Sequence, residues 1–208
     1  MVYPIGKRII LPIARLWIKE IRGLENIPKE GPFIIAANHS SYMDHFGLGL
    51  LIVPNLNKKL HFLAKKEHFD GIQKYWHRYV GAIPLDREKG GKEALNWAAK
   101  ALKEGKIIGI YPEGTRSLTG KIQRAKTGVA RLAVAAKVPV IPVGLIGMFE
   151  ILPKGKLIPR LKKAIINVGK PIHFENYYDK EVEDNLLRFM TTRIMKEIAK
   201  LSNQKYEY

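Results

Sequence analysis

Apolar residues recur along this chain in two rhythms. Runs such as Phe33-Ile34-Ile35-Ala36-Ala37 and Ile107-Ile108-Gly109-Ile110 are short and continuous, and turn-forming residues bound them, the pattern of buried strands. These runs predict strands at about 33–37, 60–64, 80–85, 107–111, 139–144 and 164–169. Between them the apolar positions fall three or four apart, predicting helices at about 42–52, 71–78, 90–103, 126–136 and 180–201. The helix at 90–103 carries Leu95, Ala98 and Leu102 on one face and stops at Gly105, a C-terminal signal. The last helix has Leu187, Met190, Ile194, Ile198 and Leu201 on one stripe, and the polar tail after it is expected to fray. Strands separated by helices predict a single α/β domain with a largely parallel or mixed sheet covered by helices.

The N-terminal segment stands apart. Ile9, Ile10, Ile13, Leu16 and Trp17 fall at helical spacing among Lys7, Arg8, Arg15 and Lys19. A basic amphipathic helix of this kind either packs on its own sheet or lies in a lipid interface, with tryptophan at headgroup depth. Pro12 predicts a kink or a late start. The division expected is an amphipathic segment at 1–22, a turn-rich link from Glu25 to Pro32, and the rest of the domain within 23–208.

Composition narrows the partners. Thirty-six Lys and Arg against 19 Asp and Glu give a formal charge of +17, which calls for anions: phosphorylated small molecules, an anionic membrane surface or nucleic acid. There is no cysteine, so disulfides and thiolate chemistry are excluded. The longest apolar runs, Phe46 to Pro54 and Val138 to Phe149, are broken by glycine or proline and fall short of the roughly 18 residues of a spanning helix. Any contact with a membrane is therefore expected from one side. No stretch has the form of a secretory signal.

Chemistry concentrates in Asn38-His39-Ser40-Ser41-Tyr42-Met43-Asp44, where a strand gives way to a helix. Histidine accepts a proton near neutral pH, and a carboxylate within reach fixes its tautomer. The competing reading is a capping box, with Ser41 as N-cap and Asp44 three residues on, beside a buried histidine that is merely satisfied. Three further blocks follow in order: Gly81-Ala82-Ile83-Pro84-Leu85-Asp86-Arg87, Tyr111-Pro112-Glu113-Gly114-Thr115-Arg116-Ser117, and Val138-Pro139-Val140-Ile141-Pro142.

Taken together, the four blocks resemble the glycerolipid acyltransferase family, closest to its 1-acylglycerol-3-phosphate (lysophosphatidate) branch, over residues 23 to 147. Asp86 before Arg87 and Pro112 before Glu113 favour that branch over glycerol-3-phosphate acyltransferases. The resemblance implies that His39 and Asp44 are catalytic. It also implies that Arg87, Glu113, Gly114, Thr115 and Arg116 bind the acceptor, joined by Lys126 of a Lys-x-Gly that follows. Tyr111 stands where phenylalanine is more usual, and Pro84 interrupts the second block. Implied too are an acyl-CoA or acyl-carrier-protein donor as co-substrate, a lysophospholipid acceptor, phosphatidate as product, no cofactor and no metal. A lipid substrate strengthens the reading of Ile9, Ile13, Leu16 and Trp17 as membrane-facing, on an enzyme held peripherally at the cytoplasmic face.

An alcohol needs its proton removed before it attacks a thioester, and His39 is suited to that task. Arginine suits a phosphate because its planar fork donates two parallel bonds. Glu113 can bind a glycerol hydroxyl or brace Arg116; Gly114 permits a positive φ; Thr115 can bind substrate or close the turn. Lys126 can meet the phosphate, meet the donor's acidic portion, or simply open the next helix. Ser40 and Ser41 do not sit in a Gly-x-Ser-x-Gly elbow, so an acyl-serine is not expected. Gly114 to Lys121 fails as a P-loop, its second glycine one residue late and Ile122 in place of a hydroxyl. His45, His61, His68 and His77 lack zinc spacing. The alternatives are acylation of another lysophospholipid or of glycerol 3-phosphate, a membrane-surface scaffold without activity, and a basic nucleic-acid-binding protein. The last lacks any recognition-helix, zinc-finger or aromatic RNA motif.

Overall fold

The computed structural model describes residues 3–86, 91–178 and 182–208. At its centre is a seven-stranded sheet in the order β1-β7-β6-β2-β5-β3-β4. The strands are β1 (Ile18–Arg22), β2 (Ile34–Ala37), β3 (Leu60–Lys65), β4 (Ile83–Leu85), β5 (Ile107–Ile110), β6 (Val140–Ile146) and β7 (Ala164–Val168). From β6 to β4 all neighbours are parallel; β7 is antiparallel to β6, and β1 is parallel to β7. The expected α/β class, with a mixed sheet, is the one observed.

Every residue of β2 and β5 is buried, which is why neither shows polar alternation in sequence. Successive side chains go to opposite faces. Ile35 and Ala37 of β2 pack with Leu48, Leu51 and Ile52 of α2 (Asp44–Leu56), and with Leu11 and Ala14 of α1 (Leu11–Arg15). Ile34 and Ala36 pack on the other face, with Leu102, Leu132, Ile194 and Ile198. These come from α4 (Lys92–Lys103), α5 (Gly128–Ala136) and α7 (Asp184–Leu201). The short helices α3 (Gln73–Tyr79) and α6 (Met148–Ile151) complete the set.

Four regions depart from the sequence expectation. Ile18–Arg22 continues the apolar spacing of the N-terminal helix, yet forms the edge strand β1, because Ile18 is registered on Ala164 and Ile21 on Ile166. The helix before it covers residues 4–15 and widens to a π turn over Gly6–Ile10, just ahead of Pro12, whose ring cannot be accommodated by regular i to i−4 bonding. Second, α2 runs on through Pro54 to Leu56. Pro54 has no N–H for the Leu50 carbonyl, and the Asn55 side-chain amide donates there at 3.3 Å and to Leu51 at 2.9 Å.

Third, the tail after Leu201 is held rather than frayed. Tyr206 is buried and its hydroxyl accepts the Ala125 N–H at 3.1 Å. Gln204 accepts the Ile122 N–H at 2.8 Å and donates to the Gly120 carbonyl at 3.3 Å. Polar composition misled because the partners of these side chains are backbone groups of a distant loop. Last, Ser41 is not the N-cap of α2. That helix starts at Asp44, and the Ser41 hydroxyl accepts the Met43 N–H while donating to the Leu152 carbonyl. Arg87 and the first residues of the helices expected at 90 and 180 lie outside the described residues.

Candidate active site

The parallel strands β2 and β5 are neighbours, so the segments leaving their carboxyl ends emerge side by side. In such sheets this edge is where ligands bind. Asn38 follows β2 and its side-chain amide both donates to the Leu145 carbonyl at 2.9 Å and accepts the Leu145 N–H at 2.8 Å. That pair anchors the turn to β6 and fixes where His39 begins.

His39 Nδ1 lies 2.7 Å from Asp44 Oδ2. The same oxygen accepts the N–H groups of Ser40 and Ser41, each at 2.8 Å. Asp44 thus closes the turn and holds the imidazole with the same atom, although Ser41 is not the N-cap that a capping box requires. With Nδ1–H given to the carboxylate, the lone pair sits on Nε2. Asp44 is fully buried. The His39 ring stacks on Tyr111 with centroids 3.8 Å apart and planes 11° from parallel. Phe62 of β3 lies parallel to Tyr111 at 5.8 Å. The Tyr111 hydroxyl is buried without a hydrogen-bond partner, and burial raises its pKa well above the ordinary phenol value.

The segment after β5 is tied to the same turn. Glu113 Oε1 accepts the His39 N–H at 2.8 Å, and Oε2 accepts from the Gln123 backbone at 2.9 Å and side chain at 3.2 Å. Ser117 N–H donates to the His39 carbonyl at 2.8 Å. Both backbone groups of His39 are thus held by the Glu113 block. Burial pushes the Glu113 carboxyl up to about 7, against the opposing pull of its three N–H donors. Of the two roles expected for Glu113, bracing is the one its contacts fit, but what it braces is the histidine turn rather than Arg116.

Arg116 lies with its guanidinium 3.7 Å from the centre of the Tyr42 ring, a cation–π contact beside the dyad. Gly114 turns with φ +72°, and a Cβ there would meet the Lys126 side chain at 3.4 Å. Lys126 is therefore laid across the Glu113-Gly114 turn, and its N–H donates to the Pro112 carbonyl at 2.8 Å. Thr115 is exposed, its carbonyl accepting from Gln123. The structure brings His39, Asp44, Glu113, Gly114, Thr115, Arg116 and Lys126 to one edge. Arg87 lies outside the described residues, although β4, which precedes it, runs toward the same edge.

Sequence reasoning missed Asn38, Gln123 and His45 as members of this site. The first two act on backbone groups of other segments, and no local spacing announces that. His45 lies 5.5 Å from the His39 ring and 5.1 Å from Tyr111. Desolvation, then the charges of His39 and Arg116, push its imidazole down, although the side chain reaches the surface.

Comparison with known proteins matches this architecture. The Acyltransferase family model covers residues 19–146, and the chain belongs to that family. The chain is similar to the 1-acyl-sn-glycerol-3-phosphate acyltransferase of Bacillus subtilis (strain 168), 34% identical over 184 residues and covering 86% of each. It is also similar to a chloroplastic 1-acyl-sn-glycerol-3-phosphate acyltransferase of Arabidopsis thaliana, 30% identical over 77% of this chain but spanning only 48% of that longer protein. The crystal structure of the 1-acyl-sn-glycerophosphate acyltransferase PlsC from Thermotoga maritima superposes with a TM-score of 0.69 at 26% identity, over 95% of this chain and 82% of that one. The protein is an acyltransferase.

Proposed function

We propose that this enzyme transfers a fatty acyl group from acyl-CoA or acyl-carrier protein to the sn-2 hydroxyl of 1-acylglycerol 3-phosphate, giving phosphatidate. The observation that carries the chemistry is the 2.7 Å contact between His39 Nδ1 and Asp44, which leaves Nε2 for substrate. Nε2 takes the hydroxyl proton as the oxygen attacks the thioester carbonyl. Asp44 stabilises the imidazolium so formed. The tetrahedral intermediate collapses with cleavage of the carbon–sulfur bond, and the thiolate leaves with the proton held on His39. No acyl-enzyme is required.

Arg116, Lys126 and Arg87 supply the cations for the acceptor phosphate. The cation–π contact with Tyr42 holds the Arg116 guanidinium beside His39 and Asp44, where its planar fork suits phosphate oxygens. The relatives named for 1-acyl-sn-glycerol-3-phosphate support this acceptor over another lysophospholipid or glycerol 3-phosphate. The enzyme works as a peripheral protein at the cytoplasmic membrane surface; among the described residues no helix is long and apolar enough to cross a membrane.

The test is purified protein with lysophosphatidate and a panel of acyl-CoA and acyl-carrier-protein thioesters, read by thiol release and product mass. Phosphatidate formation with one released thiol per ester is expected. Thiol release without ester would mark a thioesterase, and faster turnover of glycerol 3-phosphate would reassign the acceptor.

A further inference from the structure

Two stretches far apart in sequence are joined at one edge of the molecule. The Trp17 indole N–H donates to the Arg160 carbonyl at 3.0 Å, and the Ala164 N–H to the Trp17 carbonyl at 2.8 Å. Lys163 Nζ donates to the Leu16 carbonyl. These bonds fasten the loop between α6 and β7, residues 153–163, to the N-terminal helix. The loop is closed at its root by the Arg160 N–H on the Ile151 carbonyl at 2.9 Å.

Beyond that root, Leu157, Ile158 and Leu161 are 92%, 82% and 96% exposed. On the adjoining helix Ile5, Ile9, Ile13 and Leu16 are all more than half exposed. Isolated exposed leucines need no explanation, but this many on two adjoining segments do. The loop also carries Lys154, Lys156, Arg160, Lys162 and Lys163, and no acidic residue occurs from Ile151 to Phe174. An apolar centre flanked only by cations fits an anionic bilayer: side chains enter the acyl boundary, and Lys and Arg reach the lipid phosphates. A second copy of the chain would set one such basic face against another of like charge.

The loop is also coupled to the chemistry. The Leu152 carbonyl at its start accepts both the Ser41 hydroxyl at 2.8 Å and the Tyr42 N–H at 3.2 Å. Ser41 also gives its N–H to Asp44, and Tyr42 carries Arg116. We propose that the 153–163 loop is a second membrane anchor, distinct from the N-terminal helix, that inserts Leu157, Ile158 and Leu161 into an anionic bilayer and sets the depth of the catalytic edge. This rests on the lipid-acceptor reading above.

Because the chain has no cysteine, Leu161→Cys can carry a single polarity-sensitive fluorophore, with Trp97→Cys on α4 as the control. The probes are vesicles of phosphatidylcholine alone and of phosphatidylcholine with phosphatidylglycerol in equal parts. The Leu161 label should brighten and shift to the blue with the mixed vesicles, while the Trp97 label stays unchanged. Replacing Leu157, Ile158 and Leu161 together by Ser should weaken co-sedimentation with mixed vesicles by about tenfold or more. It should leave turnover of a monomeric short-chain lysophosphatidate near parent level. A silent Leu161 label on vesicle-bound protein, or triple-variant binding within about twofold of parent, overturns the anchor. Brightening that follows protein concentration without vesicles overturns it in favour of self-association. An inserting label on a protein inactive toward every acceptor supports the anchor and sinks the acylation reading.

Discussion

Asp44 and Leu161 mark two regions built to opposite rules. Asp44 is fully buried, and one of its oxygens takes three donors; Leu161 is 96% exposed. At the catalytic edge the connecting arms are held by neighbours: Asn38 by Leu145, Glu113 by His39, Gln123 by Glu113. On the outer face of the N-terminal helix and the 153–163 loop, the large apolar side chains meet water. The first region is held together within the protein itself, whereas the second, on the anchor proposal, is completed by lipid. Substitutions in the first should therefore register in solution, and those in the second only when lipid is present.

His39→Ala puts that contrast to its hardest trial. Loss of a general base costs about 10²–10⁴ in rate, so turnover should collapse by that factor while circular dichroism stays near parent and melting falls only modestly, as Asp44 keeps two of its three donors. Asp44→Asn should lose both turnover and stability, the latter by about 1–3 kcal/mol, because an amide is a weaker partner for the three buried donors. A folded His39→Ala enzyme within about threefold of parent would end the general-base assignment.

Glu113 gives the next largest effect, and it depends on pH. Burial raises its folded-state value from 4.5 to about 7, so the folded protein holds this proton more tightly than the unfolded chain. The associated stability is full below pH 4.5 and is lost as pH rises through 7. The upper bound is about 3 kcal/mol. Melting of the parent should fall between pH 5 and 8, and Glu113→Gln should flatten that slope. Equal slopes would mean that the carboxylate is ionised across the whole range.

Arg116→Ala should raise the acceptor KM by roughly tenfold with a smaller change for the thioester, since a charge-assisted contact is worth about 1.5–3 kcal/mol. Lysine should restore only part, lacking the planar fork that lies on Tyr42. An effect confined to donor saturation would move the phosphate site elsewhere. Smallest in solution, Ile9→Ser with Ile13→Ser should shift stability by no more than about 0.5 kcal/mol per site, yet lower binding to anionic vesicles and leave what remains more sensitive to salt. A large loss of melting temperature would show that these exposed isoleucines serve the core after all.

What was legible in the sequence follows the same division. Continuous apolar runs announced β2, β5 and β6, because a strand buried on both faces must be apolar throughout; β3, β4 and β7 were also legible as short apolar runs, although they are only partly buried. His39, Glu113, Gly114, Thr115 and Arg116 proved neighbours because their segments follow the carboxyl ends of β2 and β5, which pair in parallel. Edge strand β1 was hidden because Ile18 and Ile21 also extend the helical spacing of Ile9, Ile13 and Leu16; only pairing with β7 decides it. Gln204 and Tyr206 were hidden because a polar tail and a buried clasp have the same composition. Leu157, Ile158 and Leu161 fell between predicted elements, and nothing in their spacing told whether they were buried or exposed.

The pairing of β1 with β7 also dictates an order of assembly. More than two thirds of the chain lies between Ile18 and its partner Ala164. During synthesis, which proceeds from the N-terminus, the first helix and strand emerge long before the segment that will fasten them exists. Until then the Trp17 and Lys163 clasps are open, and the isoleucines of the first helix have no loop beside them. The surface proposed to meet lipid is completed only once residues 153–164 have emerged, with α7 and the Gln204–Tyr206 clasp still to follow, and until then the nascent chain carries an unfastened basic, apolar segment.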